Sequence, residues 1–255
     1  MNNNIPIIYE DENIVVISKP IGMVVHEGAG DIGETVADWL VKKYSEMKKF
    51  FADDSRPGII HRLDKNTSGI LVCAKNPMTR AKIQAQFKAR DVIKKYQTLV
   101  LGFLPKETGR IENYMSRDPK NRQLMRVQEM VFGSLEEINA KKAITEYKAL
   151  KHYLYKLGKN QYILTLLEVN LKTGRMHQIR AQMKNIGHPV IGDPDYFTKP
   201  SRKISKDLML ERQFLHSTHI EFLNPENNEK LSLDSPLPLE LTEIINKLKE
   251  TNPDQ

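Results

Sequence analysis

Cysteine is almost missing from this chain of 255 residues, where Cys73 stands alone. A single thiol makes no intrachain disulfide and no multi-cysteine zinc cluster. Long apolar runs are missing too, and none approaches the roughly 18 residues that a membrane-crossing helix needs. Met1 to Ile8 holds neither a basic cluster nor a long apolar stretch, so no secretory signal is expected. There is no Walker A sequence and no Gly-x-Gly-x-x-Gly after a strand, so a nucleotide cofactor is not indicated. No His-Glu-x-x-His occurs, and the histidines at 26, 61, 152, 177, 188, 216 and 219 lack metal-binding helical spacing. His61 and Ser68 suggest a triad, but no Gly-x-Ser-x-Gly elbow supports acyl transfer. A cytoplasmic protein without cofactor or metal is expected.

What is present is positive charge. Lys and Arg total 39 against 32 acids, a net charge of +7, in a chain that is 40% hydrophobic and 28% charged. Such a composition suits a globular protein. A basic surface attracts polyanions through phosphate neutralisation, although many Lys-rich proteins carry such a charge and bind nothing. No repeat, low-complexity segment or Pro/Gly/Ser linker divides the chain. One domain over residues 1–255 is expected, with a core over 6–235 and a C-terminal helix over 237–250.

Apolar periodicity and punctuation give the elements. Asn2 to Asn4 read as a frayed tail, and Ile14 to Ile17 as a buried strand punctuated by Pro20 and Gly22. Gly28 and Gly30 read as a flexible loop before a helix from Thr35 to Met47, in which Val36, Leu40 and Tyr44 recur every four residues. Gly69 to Ala74 reads as a strand. Asn76-Pro77 supplies an N-cap and first helical residue for a helix to Arg90. Ile93 to Leu101 is β-rich and is stopped by Gly102, residues 105–141 are polar and irregular with room for short strands, and strands follow at Ala143–Leu150 and Tyr162–Leu171. A short helix is expected from Gly174 to Gly187, then strands at Phe214–Phe222 and Lys230–Leu233, then a helix carrying Leu241, Ile244, Ile245 and Leu248 on one face. Strands outnumber helices without regular βαβ alternation, so the fold class is α+β with a mainly antiparallel or mixed central sheet flanked by helices.

Three segments hold chemistry-bearing residues. In Gly58-Ile-Ile-His-Arg-Leu-Asp-Lys-Asn-Thr-Ser-Gly69, an isoleucine-rich strand delivers His61, Arg62 and Asp64 into a polar turn. Charges between two apolar strands are costly to bury, which puts them at a strand end facing a cleft. The alternative is an Asx-type turn in which Asp64 only bonds the backbone of Asn66 or Thr67. In Thr173-Gly-Arg-Met-His-Gln-Ile-Arg180, helical spacing gives a stripe of Met176, Ile179, Met183 and Ile186, with Arg175 and Arg180 on its flanks and His177 and Lys184 facing away. Arg175 in a first turn opposes the helix dipole, so it asks for an anionic partner. The alternative is a pair of arginines snorkelling over the core edge. In Lys94-Lys-Tyr96, alternation puts Tyr96 on one face with Thr98 and Val100. It stacks on a nucleobase while the lysines meet phosphates, or it is an ordinary core tyrosine.

Together the three segments resemble the pseudouridine synthases of the RluA family. His61-Arg-Leu-Asp-Lys-Asn-Thr-Ser-Gly69 is similar to that family's catalytic signature, Tyr96 with Leu99-Val-Leu-Gly102 to its second motif, and Gly174-Arg-Met-His-Gln-Ile-Arg180 with Gly187-His-Pro-Val-Ile-Gly-Asp193 to its third. Ile17-Ser-Lys-Pro-Ile-Gly-Met-Val-Val-His26 matches its early strand and loop. The resemblance implies Asp64 as catalytic aspartate, Arg180 as its salt-bridge partner and Tyr96 against the target base. It also implies Ile179 lining the pocket and Arg62 on the RNA beside the flipped nucleotide. His61, Arg175 and Lys94 complete the expected substrate-binding set. The implied partner is structured RNA, an rRNA or tRNA stem-loop, with no membrane or protein partner and a monomer expected. Family members often begin with an S4 domain. Here the catalytic pattern starts within about ten residues of Met1, so no S4 domain is expected and target selection falls to the catalytic domain. Two rival readings remain: a non-catalytic RNA-binding or ribosome-assembly protein on the same scaffold, and a glycosylase that releases uracil. A hydrolytic glycosidase is disfavoured, because it would normally need two placed carboxylates.

Overall fold

The computed structural model describes residues 5–27, 33–104, 106–128 and 139–251. The expected Asn2–Asn4 tail, the Gly28–Gly30 loop and residues 129–138 lie outside the described residues. Along the chain run β1 (Ile7–Glu10), β2 (Ile14–Lys19), α1 (Val36–Lys43), α2 (Met47–Phe50), β3 (Ser68–Ala74), α3 (Pro77–Ala89) and β4 (Ile93–Leu101). After these come β5 (Thr108–Arg117), β6 (Met125–Gln128), β7 (Lys141–Leu157), β8 (Asn160–Leu171) and α4 (Gln178–Asn185). The order closes with α5 (Lys199–Asp207), β9 (Leu215–Leu223), β10 (Lys230–Asp234), α6 (Leu239–Asn246) and β11 (Lys249–Glu250). The fold class is α+β, as expected. No helix among the described residues is long and apolar enough to cross a membrane.

The chain divides into two compact units, Met1–Lys94 with Ser217–Pro236, and Lys95–His216 with Leu237–Gln255. In the first, β1, β2 and β3 form an antiparallel ladder, and β10 pairs with β9. Every residue of β3 is buried, and Ile14, Val16, Ile70, Val72, Ile83 and Phe222 pack into one cluster. Helix α3 covers that cluster because Asn76 caps it, accepting from Thr79 N–H at 2.9 Å, and Arg90 ends it in the left-handed region at φ 69°. In the second unit, β4, β8, β7, β5 and β6 are successive antiparallel neighbours. Leu99, Leu164, Ile191, Ile204, Phe214 and Leu241 centre its core.

Several boundaries differ from the sequence reading. The helix expected to reach Met47 stops at Lys43, and a separate turn, α2, begins at Met47. The isoleucine-rich approach to Asp64 makes one bridge, Ile59 to Cys73, rather than a strand. The irregular stretch after Gly102 contains the ten-residue strand β5, whose partner β7 runs 17 residues. Charged side chains on the exposed face hide that alternation. Helix α4 starts at Gln178, not Gly174, so Arg175 and Met176 precede it.

Candidate active site

Asp64 sits, half-buried, in a turn closed by its own main chain: Thr67 N–H donates to the Asp64 carbonyl at 3.0 Å. A second loop holds it in place. Gly22 N–H donates to the Lys65 carbonyl at 3.0 Å. The Lys19 ammonium, fully buried, donates to the carbonyls of Pro20, Met23 and Lys65 at 2.7, 2.9 and 3.0 Å. Lys19 and Gly69 face each other at the ends of β2 and β3, the two strands that bracket the turn. Gly69 has φ 110°, and a Cβ there would meet the Ser217 carbonyl oxygen at 2.2 Å, so only glycine fits.

His61 is turned to the protein. Its Nε2 accepts from Val72 N–H at 3.0 Å, and its ring stacks on Phe87 with centroids 4.8 Å apart. That bond fixes the Nδ1–H tautomer, and burial, helped by the Lys94 charge, lowers its pKa to about 3. The Lys94 ammonium lies 5.1 Å from the centre of the Phe87 ring. Arg62 is exposed.

In the second unit Tyr96 is buried in β4, opposite Val169 of β8. Lys95, the next residue back, pairs with Glu168 at 3.3 Å. Ile179 is buried in α4, and so are Gln178, Arg180 and Gln182, so this helix buries polar as well as apolar faces. Gln178 explains why. Its amide donates to the Ile144 carbonyl and the Thr145 hydroxyl, and its oxygen accepts from Arg175 N–H at 2.9 Å, seating the helix start on β7. Arg175 is half-buried, with Nε on the Lys142 carbonyl at 3.0 Å.

Arg180 is gripped by groups that the sequence reading gave no role. Asp193 takes its Nε and Nη2 in a bidentate pair at 2.7 and 2.9 Å, and Asp195 takes Nη2 at 2.7 Å. Asp193 Oδ1 also accepts the N–H groups of Asp195 and Tyr196, both at 2.9 Å. The Arg180 guanidinium lies 5.1 Å from the centre of the Tyr196 ring. The Tyr196 hydroxyl, its pKa pushed up to about 12 by burial, accepts from Met125 N–H at 2.6 Å and lies 3.1 Å from His177 Nδ1. His177, expected to point away, instead precedes α4 at φ 52° and packs edge-on to Tyr196. The signal for this cluster was Gly-Asp-Pro-Asp at 192–195, a turn sequence with two carboxylates. The signal for Lys19 was a lysine ending an otherwise buried strand.

The comparisons with known proteins agree with the motifs. Residues 13–185 match the model of the RNA pseudouridylate synthase family, a span that contains Lys19, Asp64, Tyr96 and Arg180. An uncharacterized RNA pseudouridine synthase of Aquifex aeolicus is 37% identical over 254 residues, covering 98% of this chain and 75% of that protein. The ribosomal large subunit pseudouridine synthase D of Zymomonas mobilis is 33% identical over 248 residues, covering 96% and 73%. The structure of human RNA pseudouridylate synthase domain containing 1 superposes with a TM-score of 0.70 at 24% identity, over 97% of this chain and 89% of that one, a likeness of fold. The chain belongs to the RNA pseudouridylate synthase family and is an RNA pseudouridine synthase.

Proposed function

We propose that this enzyme converts specific uridines of structured rRNA or tRNA into pseudouridine, with Asp64 acting on the ribose of a base drawn out of its stack. The family match across the Asp64 signature carries this reading. The name of the Zymomonas mobilis relative favours ribosomal RNA. The Asp64 turn adds support, because a main-chain bond closes it at a half-buried position.

The reaction breaks the N1–C1′ bond and joins C5 to C1′; N1 gains a proton and C5 loses one to water. Its atoms balance without a redox partner or ATP. Unstacking costs a few kcal/mol, least in loops. Asp64 then attacks or stabilises the reacting sugar, Tyr96 holds the detached uracil for reattachment, and Arg180 is the cation that keeps the carboxylate ionised. Ile179 lines the pocket, with Arg62, Arg175 and Lys94 on the RNA. The same reading has a monomer working in the cytoplasm.

The test is release of tritium from RNA labelled at uracil C5. Wild-type enzyme releases label, and Asp64→Asn lowers release by at least about 10³-fold while binding RNA with little change. Normal turnover by that variant removes Asp64 from the mechanism. Free uracil among the products would instead mark a glycosylase.

A further inference from the structure

Helix α5 carries four cations in nine residues. At about 100° per residue, Lys199, Arg202, Lys203 and Lys206 fall within one arc of roughly 100°. All four are exposed, while Ser201, Ile204 and Leu208 are buried behind them. Some exposed cations elsewhere meet carboxylates, as Lys49 does Glu46 at 2.9 Å, Arg110 Glu112 at 2.8 Å and Lys151 Glu250 at 2.8 Å. Among the described residues, none of the four cations of α5 has an ion-pairing carboxylate. The helix's own acid, Asp207, accepts the Tyr155 hydroxyl.

Helix energetics do not account for this arrangement. Lys199 stands in the first turn, where the macrodipole disfavours cations. The pairs 199/202, 199/203, 202/206 and 203/206 set like charges three or four residues apart, where they repel. The platform beneath is firm nonetheless. Thr198 and Ser201 form a capping box, and Ser205 accepts Gly192 N–H while donating to the Ser201 carbonyl, both at 2.7 Å. Arg202 lies 4.8 Å over the Phe197 ring, which further orders its guanidinium. A self-repelling, rigidly seated ridge of charge is relieved by a polyanion that presents several charges in a row.

We propose that this ridge docks the phosphate backbone of the substrate RNA outside the site that takes the target base. The identity of the polyanion as RNA rests on the isomerase reading. From Lys199 to Lys206 the helix rises about 10 Å, a length over which a nucleic-acid strand offers several successive phosphates.

The test removes the four charges in the full-length chain (Lys199→Gln, Arg202→Gln, Lys203→Gln, Lys206→Gln). A control removes four others from α1 and α2 (Lys42→Gln, Lys43→Gln, Lys48→Gln, Lys49→Gln), so both variants keep the same net charge. Binding of a labelled rRNA fragment is followed by fluorescence anisotropy across a salt series. The ridge variant loses about three units of the slope of log K against log salt, and its KM rises at least about tenfold at unchanged kcat. The control stays near wild type. An unchanged slope in the ridge variant, or an equal loss in the control, overturns the proposal, as does a ridge that proves to bind an acidic protein while RNA affinity is untouched. If the fourfold variant melts early, single Lys203→Gln and Lys206→Gln changes each lose about one unit instead. Binding is read without turnover, so absent tritium release would sink the isomerase reading and leave the ridge standing.

Discussion

The turn at Asp64 is held through main-chain oxygens, whereas Arg180 is held side chain to side chain. At the turn, one buried ammonium, Lys19, gathers three carbonyls, and a backbone bond from Gly22 adds a fourth tether. At Arg180, two carboxylates and an aromatic ring meet a single guanidinium. The first device fixes the path of a loop through its backbone. The second fixes one side chain and fails with either partner. The first suits a loop proposed to offer a carboxylate, and the second a cation proposed to keep one rotamer.

Breaking the side-chain clamp should have the largest effect on stability. Asp193→Ala strips Arg180 of its bidentate partner and orphans two N–H groups, leaving a buried charge short of compensation. A loss of about 3–5 kcal/mol is expected, read as a lower midpoint in urea denaturation. A change under about 1 kcal/mol would mean that Asp193 does not hold the arginine. Lys19→Met keeps the volume but withdraws a donor from three carbonyls at once. About 2–3 kcal/mol is expected, with kcat falling further than stability explains because the Asp64 turn loses its tether. Equal kcat at full folding would show that the cage shapes only the fold.

The sequence shows most clearly what local chemistry decides. β2, β3, β4 and α3 match their expected bounds within a residue or two, because a buried apolar run or an Asn-Pro cap defines each one. Strand β5 was hidden by its charged outer face, and α5 by having only Ile204 and Leu208 as wholly buried apolar anchors. Of the residues proposed to act on RNA, Asp64, Tyr96, Ile179 and Arg180 stand in contiguous motifs that can be read directly. Lys19 lies 46 positions from the Lys65 oxygen it holds, and Asp193 lies 13 from Arg180. Neither spacing belongs to a local element, so only the fold reveals the pairing. His61 looked like a substrate ligand because it shares a motif with Asp64, yet its ring nitrogen is taken by Val72 N–H.

His61 sharpens the contrast from the loop side, since it is a side chain there that also bonds main chain. Its folded pKa of about 3 lies below the ordinary histidine value of 6.5. The unfolded chain therefore takes up a proton below pH 6.5 that the folded chain refuses. The stability this neutral imidazole contributes is present above that pH and is lost as pH falls toward about 3. Between pH 7 and pH 5 the loss from this one group is at most about 2 kcal/mol. His61→Gln retains an acceptor for Val72 N–H but cannot titrate, so it should be somewhat less stable at pH 7.5 and draw level with wild type in acid. Denaturation midpoints measured at both pH values decide it. A gap that stays constant or widens as pH falls would mean that the ring is protonated in the folded protein, and that the bond to Val72 is not what orders the approach to Asp64.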